Sequence, residues 1–263
     1  MIELRGVDGL LLMFSAAGSL VILALLMPVV LAPLMTKPSD LATTLMDPEV
    51  LGALSVTFSA ATAATIFALI LGVPLAYVMA RMNFAFKGLL ESILSIPLAI
   101  PHSVAGILVL LAYHSRTPIG SILGNLGIVI EDAVWGIILA MFFVSAPILI
   151  SSARAGFSMI DENLEHVARS LGASHLKTFL TISLPLSFRA IASGAMLTWT
   201  RAVSEVGALL IVAPYPRSIA LLVIQRFESF GLSAAIPITV ILLGISLLVV
   251  FIMNRVLRGG SYP

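Results

Sequence analysis

Gly194, Thr198, Arg201 and Glu205 follow one another at intervals of four, three and four residues. At that spacing all four share one face of a helix. An arginine and a carboxylate one turn apart, in a segment otherwise dominated by apolar side chains, have two uses. They border a polar path through a bilayer, where Glu205 argues against a simple anion funnel and the pair would serve as a gate. Alternatively they pair with each other, or with another helix, as structural glue. An ionisable side chain near mid-membrane costs about 2.5–3.5 kcal/mol on insertion scales, so either use implies surroundings of protein or water rather than lipid. Thr198, Arg201 and Glu205 are therefore the candidate pathway or gate residues, with both readings open.

Other chemistry is sparse. His102 stands between Pro101 and Ser103, and His114 lies twelve residues on, too far to share an ion. No H-E-x-x-H pair, acidic cluster or histidine triad accompanies them, so His102 reads as a hydrogen-bonded structural residue and no metal ligands are assigned. The chain has no cysteine, which excludes disulfides, thiolate metal sites and a cysteine nucleophile. It contains no G-x-x-x-x-G-K-[ST] phosphate loop and no nucleophile elbow, and no catalytic residue is assigned. A net charge of +1 creates no field that would gather nucleic acid.

The elements that must hold these residues are membrane helices. Of the 263 residues 60% are hydrophobic and 10% charged, where a soluble domain carries about 25% charged. Six segments reach the roughly 20 apolar residues needed to cross a bilayer, near 10–35, 54–80, 89–113, 133–152, 187–213 and 232–255. The short alternating segments of a β-barrel are missing. The first run exceeds the length of a signal-peptide core and reads as an uncleaved span. Pro28, Pro33, Pro74, Pro97, Pro101 and Pro237 fall inside spans, where they kink helices or simply reflect membrane composition. Arg5, Arg81, Lys87, Arg154, Arg169, Lys177, Arg189, Arg255 and Arg258 gather on one side. Lys37, Arg116, Arg217 and Arg226 fall on the other. The excess places both termini and the 153–186 loop in the cytoplasm. No internal repeat of the kind that builds secondary carriers is evident. Gly120 and Gly124 fall in or near an outer loop, so their spacing is not a helix-dimer motif.

The cytoplasmic loop reads SMIDENLEHVARSLGASH followed by LKTFLTISLP. Asp161 and Glu162 suit the first turn of a helix of about three turns. Leu164, Val167, Ala168 and Leu171 then form an apolar stripe at i, i+3, i+4 and i+7. Gly172 ends the helix in the left-handed conformation, and Ser174 caps a short second helix that Pro185 stops. Such a narrow stripe fits a partner's groove better than a lipid surface, which calls for a broader apolar face and a strongly basic one opposite.

This loop resembles the coupling loop of ABC importer permeases, whose pattern is Glu-Ala-Ala, three residues, Gly, nine residues, Ile-x-Leu-Pro. Ala168, Gly172, Ile182, Leu184 and Pro185 fall in register. His166 stands at the Glu position, Val167 at the first Ala, and Glu165 is one residue early. The resemblance implies a six-span, all-α membrane protein of the type I importer permease fold. It also implies that a separate cytoplasmic ATPase, which binds the ATP and Mg, docks on the 158–185 loop. The residues carried over as ATPase-coupling are Leu164, Glu165, His166, Val167, Ala168, Leu171, Gly172, Ile182, Leu184 and Pro185. This chain itself is expected to hold no cofactor and to be no enzyme.

IPLAIPHSVAGI at 96–107 and WTRAVSEVGALLIVAPYP at 199–216 resemble the molybdate, tungstate and sulfate branch of these permeases, and the whole chain looks closest to the molybdate/tungstate group. That implies a homodimer in the cell membrane with the path between two copies. It further implies an extracytoplasmic molybdate/tungstate-binding protein, for which the loops near 36–52, 114–132 and 214–231 are the docking surface. The expected organisation is a first span and outer loop (1–50), a core transmembrane domain (51–255) and a cytoplasmic tail (256–263). Sulfate or thiosulfate import is the alternative substrate, and a stand-alone secondary anion carrier the alternative of another class. A membrane enzyme lacks any supporting constellation.

Overall fold

Lipid offers the backbone no hydrogen-bond partner, and the apolar runs of this chain satisfy themselves as helices. The computed structural model describes residues 9–259, among which every regular element is helical. In chain order these are α1 (Gly9–Leu34), α2 (Pro38–Leu45), α3 (Pro48–Arg81), α4 (Lys87–Ala99), α5 (His102–Tyr113) and α6 (Pro118–Asn125). The second half comprises α7 (Val134–Ser158), α8 (Glu162–Ser170), α9 (His175–Val203), α10 (Gly207–Val212), α11 (Ile219–Phe230) and α12 (Leu232–Gly259). Arg5, counted above for orientation, lies outside the described residues. So does 260–263 of the expected tail, while α12 runs into its beginning.

Helices α1, α3, α7, α9 and α12 are long and apolar enough to cross a membrane. The expected third span differs. It is two short helices, α4 and α5, meeting at 120°, and the count reaches six only if that bent pair is one span. Its cause is local. Pro101 excludes its predecessor from the helical region, and Ile100 is extended at φ −88° and ψ 153°.

The fifth span also differs from the expected 187–213. Pro185 does not stop a helix: α9 runs from His175 to Val203 straight through it. A proline inside a helix lacks the N–H for its i−4 bond, and its ring collides with that carbonyl. Here a wider π-helical turn at Phe179–Ser183 comes just before and absorbs the conflict. The same device, Ala68–Gly72 ahead of Pro74, keeps α3 continuous. The break comes later, at Ser204–Val206, and Gly207–Val212 is the separate helix α10.

Helix α7 is the hub. Its Ile137, Ala140, Met141 and Val144 pack with Ala60, Ala61 and Ala64 of α3 and with Leu209 and Val212 of α10. Further along, its Leu149, Ile150, Ala153 and Phe157 meet Val73, Ala76 and Met79 of α3 and Ile191 of α9. Small residues let the backbones approach, as membrane helices require. A Cβ on Gly194 would lie 2.7 Å from Ser152 Cβ, and one on Gly156 only 2.5 Å from Ala190 Cβ. A third cluster joins Val50 and Leu54 of α3 to Leu222 of α11 and Ile238 and Ile241 of α12. Helix α1 buries none of its residues and packs along α12.

At one end of the bundle, Arg217 pairs with Glu49 at 2.7 Å, and Arg226 with Asp47 and Glu49 at 3.0 and 2.8 Å. Those pairs bind the 36–52 and 214–231 loops to each other. Within the 114–132 loop, Glu131 accepts the Ser115 N–H and lies 3.1 Å from His114. Burial works to raise its pKa, but those hydrogen bonds and His114 hold it below the usual carboxylate value. Gly120 meets a close approach to the His114 carbonyl inside this loop, which gives it a local role.

Candidate functional site

The loop between α7 and α9 forms as its punctuation dictates. Asp161 caps α8 by accepting the Asn163 N–H at 2.9 Å. Gly172 ends it at φ +91°, left-handed, with its N–H on the Arg169 carbonyl and that of Ala173 on Ala168. Ser174 caps α9 by accepting the Lys177 N–H.

The orientation of α8 inverts the usual rule. Its apolar residues face outward: Leu164 is 48% exposed, Val167 59% and Leu171 84%. Its one buried residue is a carboxylate, Glu165. That side chain accepts hydrogen bonds from Arg81 Nε and Nη2 at 2.9 and 2.8 Å, Tyr77 Oη at 2.9 Å and Ser183 Oγ at 2.8 Å. Arg81 and Tyr77 close α3, while Ser183 lies in the π turn of α9, so one carboxylate fastens α8 to two spans. Tyr77 is held edge-on between Phe157 and Phe179, with centroids 5.3 and 4.9 Å away. Burial alone would raise the Glu165 pKa, but the bonds from Arg81, Ser183 and Tyr77, with the Arg81 charge, bring it below the ordinary carboxylate value.

Glu165, carried over among the coupling residues, is buried and anchors α8 from inside, because a paired guanidinium sits directly behind it. His166 is exposed and lies 2.5 Å from Arg169 Nη2, while Arg169 Nη1 reaches His175 at 3.1 Å. Ala168 is partly covered, as are Ile182 and Leu184 at the base of α9, and Pro185 is exposed.

The second site lies where α9 breaks. Arg201 Nη2 is 2.7 Å from Glu205 Oε2 and within 2.9 Å of both ring nitrogens of His102. Glu205 Oε1 accepts the Ala208 N–H at 2.8 Å and so caps α10. His102 begins α5. Helices α5 and α10 run side by side from this point, so close that a Cβ on Gly106 would lie 2.8 Å from the Ala208 carbonyl oxygen and one on Gly207 2.7 Å from His102 Cβ. The expected pairing of Arg201 with Glu205 is thus present, joined by a histidine 99 positions away. Thr198 and Gly194 do not join this cluster. Both are buried against α7, with Thr198 Oγ1 donating to the Ser145 carbonyl at 3.3 Å, so helix packing takes up that part of the stripe. The break after Val203 also takes Glu205 off the α9 helix.

These features were compared with known proteins. The family model for the inner membrane component of binding-protein-dependent transport systems matches residues 72–259. The chain belongs to this family. Among its relatives is the molybdate/tungstate transport system permease protein WtpB of Pyrococcus abyssi (strain GE5 / Orsay), 45% identical over 260 residues that cover 97% of this chain and 98% of that one. A probable sulfate transport system permease protein of Chlorokybus atmophyticus is 34% identical over 172 residues, 64% of this chain and 60% of that one. A chain of a bacterial alginate ABC transporter, crystallised with an alginate pentasaccharide-bound periplasmic protein, superposes with a TM-score of 0.68 over 93% of each chain at 16% identity. That last likeness is one of fold alone, the type I importer permease fold.

The residues of this candidate site that sequence reasoning missed are Arg81, Tyr77 and Ser183, the partners of Glu165. Tyr77 and Arg81 share a helix face four residues apart. No local spacing links them to Glu165, 84 positions beyond Arg81.

Proposed function

We propose that this chain is the permease subunit of an ATP-driven importer that carries molybdate or tungstate across the cell membrane. One observation supports the coupling reading above the others: α8 hides its carboxylate and exposes Leu164, Val167 and Leu171. A row of exposed leucine and valine outside the spans is stable when a partner's groove covers it. That partner is a cytoplasmic ABC ATPase, which supplies ATP and Mg, since hydrolysis belongs to the ATPase and this chain is a transport subunit. The excess of Lys and Arg puts the α8 end, and both termini, on the cytoplasmic side.

On the opposite side the loops near 36–52, 114–132 and 214–231 receive an extracytoplasmic binding protein that captures the oxyanion. A second copy of the chain completes the path, and the Arg201–Glu205 pair with His102 serves as its gate. The substrate follows the relatives: the molybdate/tungstate permease matches nearly end to end, the sulfate permease over less than two thirds of this chain and at lower identity.

Molybdenum, tungsten and sulfur accumulation, measured by mass spectrometry in cells with and without the gene at low external oxyanion, tests this. Loss of molybdenum or tungsten uptake alone is expected. Loss of sulfur uptake instead would move the chain to the sulfate branch, and no change in any of the three would refute the substrate.

A further inference from the structure

Arg201 lies near the end of the span His175–Val203, and the two signs of its cluster are unequally placed. The Glu205 side chain is 1% exposed, that of Arg201 22% and that of His102 48%. The negative charge is sealed behind the positive one, and it keeps a second partner in the Ala208 N–H. One exposed hydroxyl stands beside the guanidinium, Ser204 Oγ at 3.4 Å from Arg201 Nη1. A guanidinium turned toward lipid would be severely penalised, so this side faces water or protein.

We infer that Arg201 and His102 form a transit site for a divalent tetrahedral oxyanion, which displaces Glu205 as the partner of the Arg201 guanidinium. The inference rests on the importer reading above and names residues that handle its cargo. A guanidinium fork fits carboxylate and tetrahedral oxyanion alike, because each offers two acceptor oxygens at similar separation. Glu205 is then a tethered competitor for the cargo. Without it, Arg201 would hold a dianion too firmly to release; with it, arrival and departure are close to balanced, which conduction requires. The competitor is not stranded during the exchange, since the Ala208 N–H at the start of α10 continues to hold its other oxygen.

The complex of permease, ATPase and binding protein, reconstituted in proteoliposomes, gives radiolabelled molybdate uptake. Equilibrium dialysis of molybdate against the purified permease–ATPase complex gives affinity directly. Glu205→Gln removes the competing charge and is expected to bind molybdate about tenfold more tightly while transporting more slowly. Arg201→Lys keeps the charge but loses the fork, and is expected to bind about tenfold more weakly, also with slower transport. Affinities that move in opposite directions while uptake falls in both variants support the site. Unshifted affinities, or a fall in both, overturn it. If Glu205→Gln fails to assemble by gel filtration, Arg201→Lys decides alone, and wild-type affinity there overturns the site. If the wild-type complex imports neither molybdate nor tungstate, the importer reading has failed instead.

Discussion

Removing the Arg81 side chain should release α8 from the bundle without unfolding the spans. In the native structure four donors converge on the Glu165 carboxylate at 2.8–2.9 Å, and two of them belong to Arg81. Both side chains are about nine-tenths buried, at 10% and 9% exposure, so solvent screens the pair little. Arg81→Ala leaves an uncompensated buried carboxylate, a loss of about 3–5 kcal/mol where one partner of such a pair is deleted. Because every 1.4 kcal/mol or so is tenfold, amides of α8 should exchange with deuterium on the order of a hundredfold to a few thousandfold faster, up to the limit of an unprotected chain. Amides of α7 should be unaffected. The double variant Arg81→Ala/Glu165→Ala should lose clearly less than the sum of the single variants, since neither charge is then stranded. The assay is hydrogen–deuterium exchange on the purified protein in nanodiscs, read at peptides covering 162–170 and 137–150. Unchanged exchange of α8 in Arg81→Ala, or strict additivity in the cycle, would refute the anchoring role.

The same carboxylate fixes a pH dependence. Its folded pKa lies below the unfolded one, so its contribution is complete above the ordinary carboxylate value and is lost as pH falls through the lowered one; α8 protection should drop in that acidic window. Gly172→Val forces a β-branched residue to φ +91° and should cost about 1–2 kcal/mol at the α8 turn, with poorer coupling of ATP hydrolysis to uptake. Gly172→Asn should be milder, because no neighbouring atom blocks a Cβ there and asparagine tolerates that region. Gly106→Val should cost about 1–3 kcal/mol of overpacking between α5 and α10 and so lower the thermal unfolding midpoint, and an unchanged midpoint would show that the pair has slack. Arg226→Ala removes a partly exposed pairing with Asp47 and Glu49, and screening limits the loss to about 0.2–1 kcal/mol, smaller still in high salt.

Local rules explain which parts of the fold could be read from the residues. Asp161, Gly172 and Ser174 act on their own neighbours through a cap, a left-handed turn and a second cap, and each does so in the structure. The orientation of α8 required more. Periodicity tells which side chains share a face, but nothing in LEHVARSLG says that the face with Glu165 turns inward; that depends on an arginine from another span. Pro185 read as a stop because the rule for proline assumes an α-helix, and a π turn changes the premise. Pro101 ended a helix as the rule says, and the bend there divided an apolar run that composition alone makes continuous. At the Arg201 cluster the spacing correctly joined Arg201 to Glu205, while Thr198, on the same nominal stripe, was drawn into the contact with α7.

The helix that begins at His175, just after α8, ends two residues beyond Arg201. Its 29 residues, at about 1.5 Å each, make a rod on the order of 40 Å long. Under the proposed coupling, a partner that pushes on α8 would push, through Glu165 and Ser183, on the lower part of this rod. That proposal would need no chain of side-chain rearrangements to carry the message across the membrane. The rod is a lever, and a tilt of a few degrees at its base displaces the guanidinium at its tip by several times more than it moves the serine at its foot.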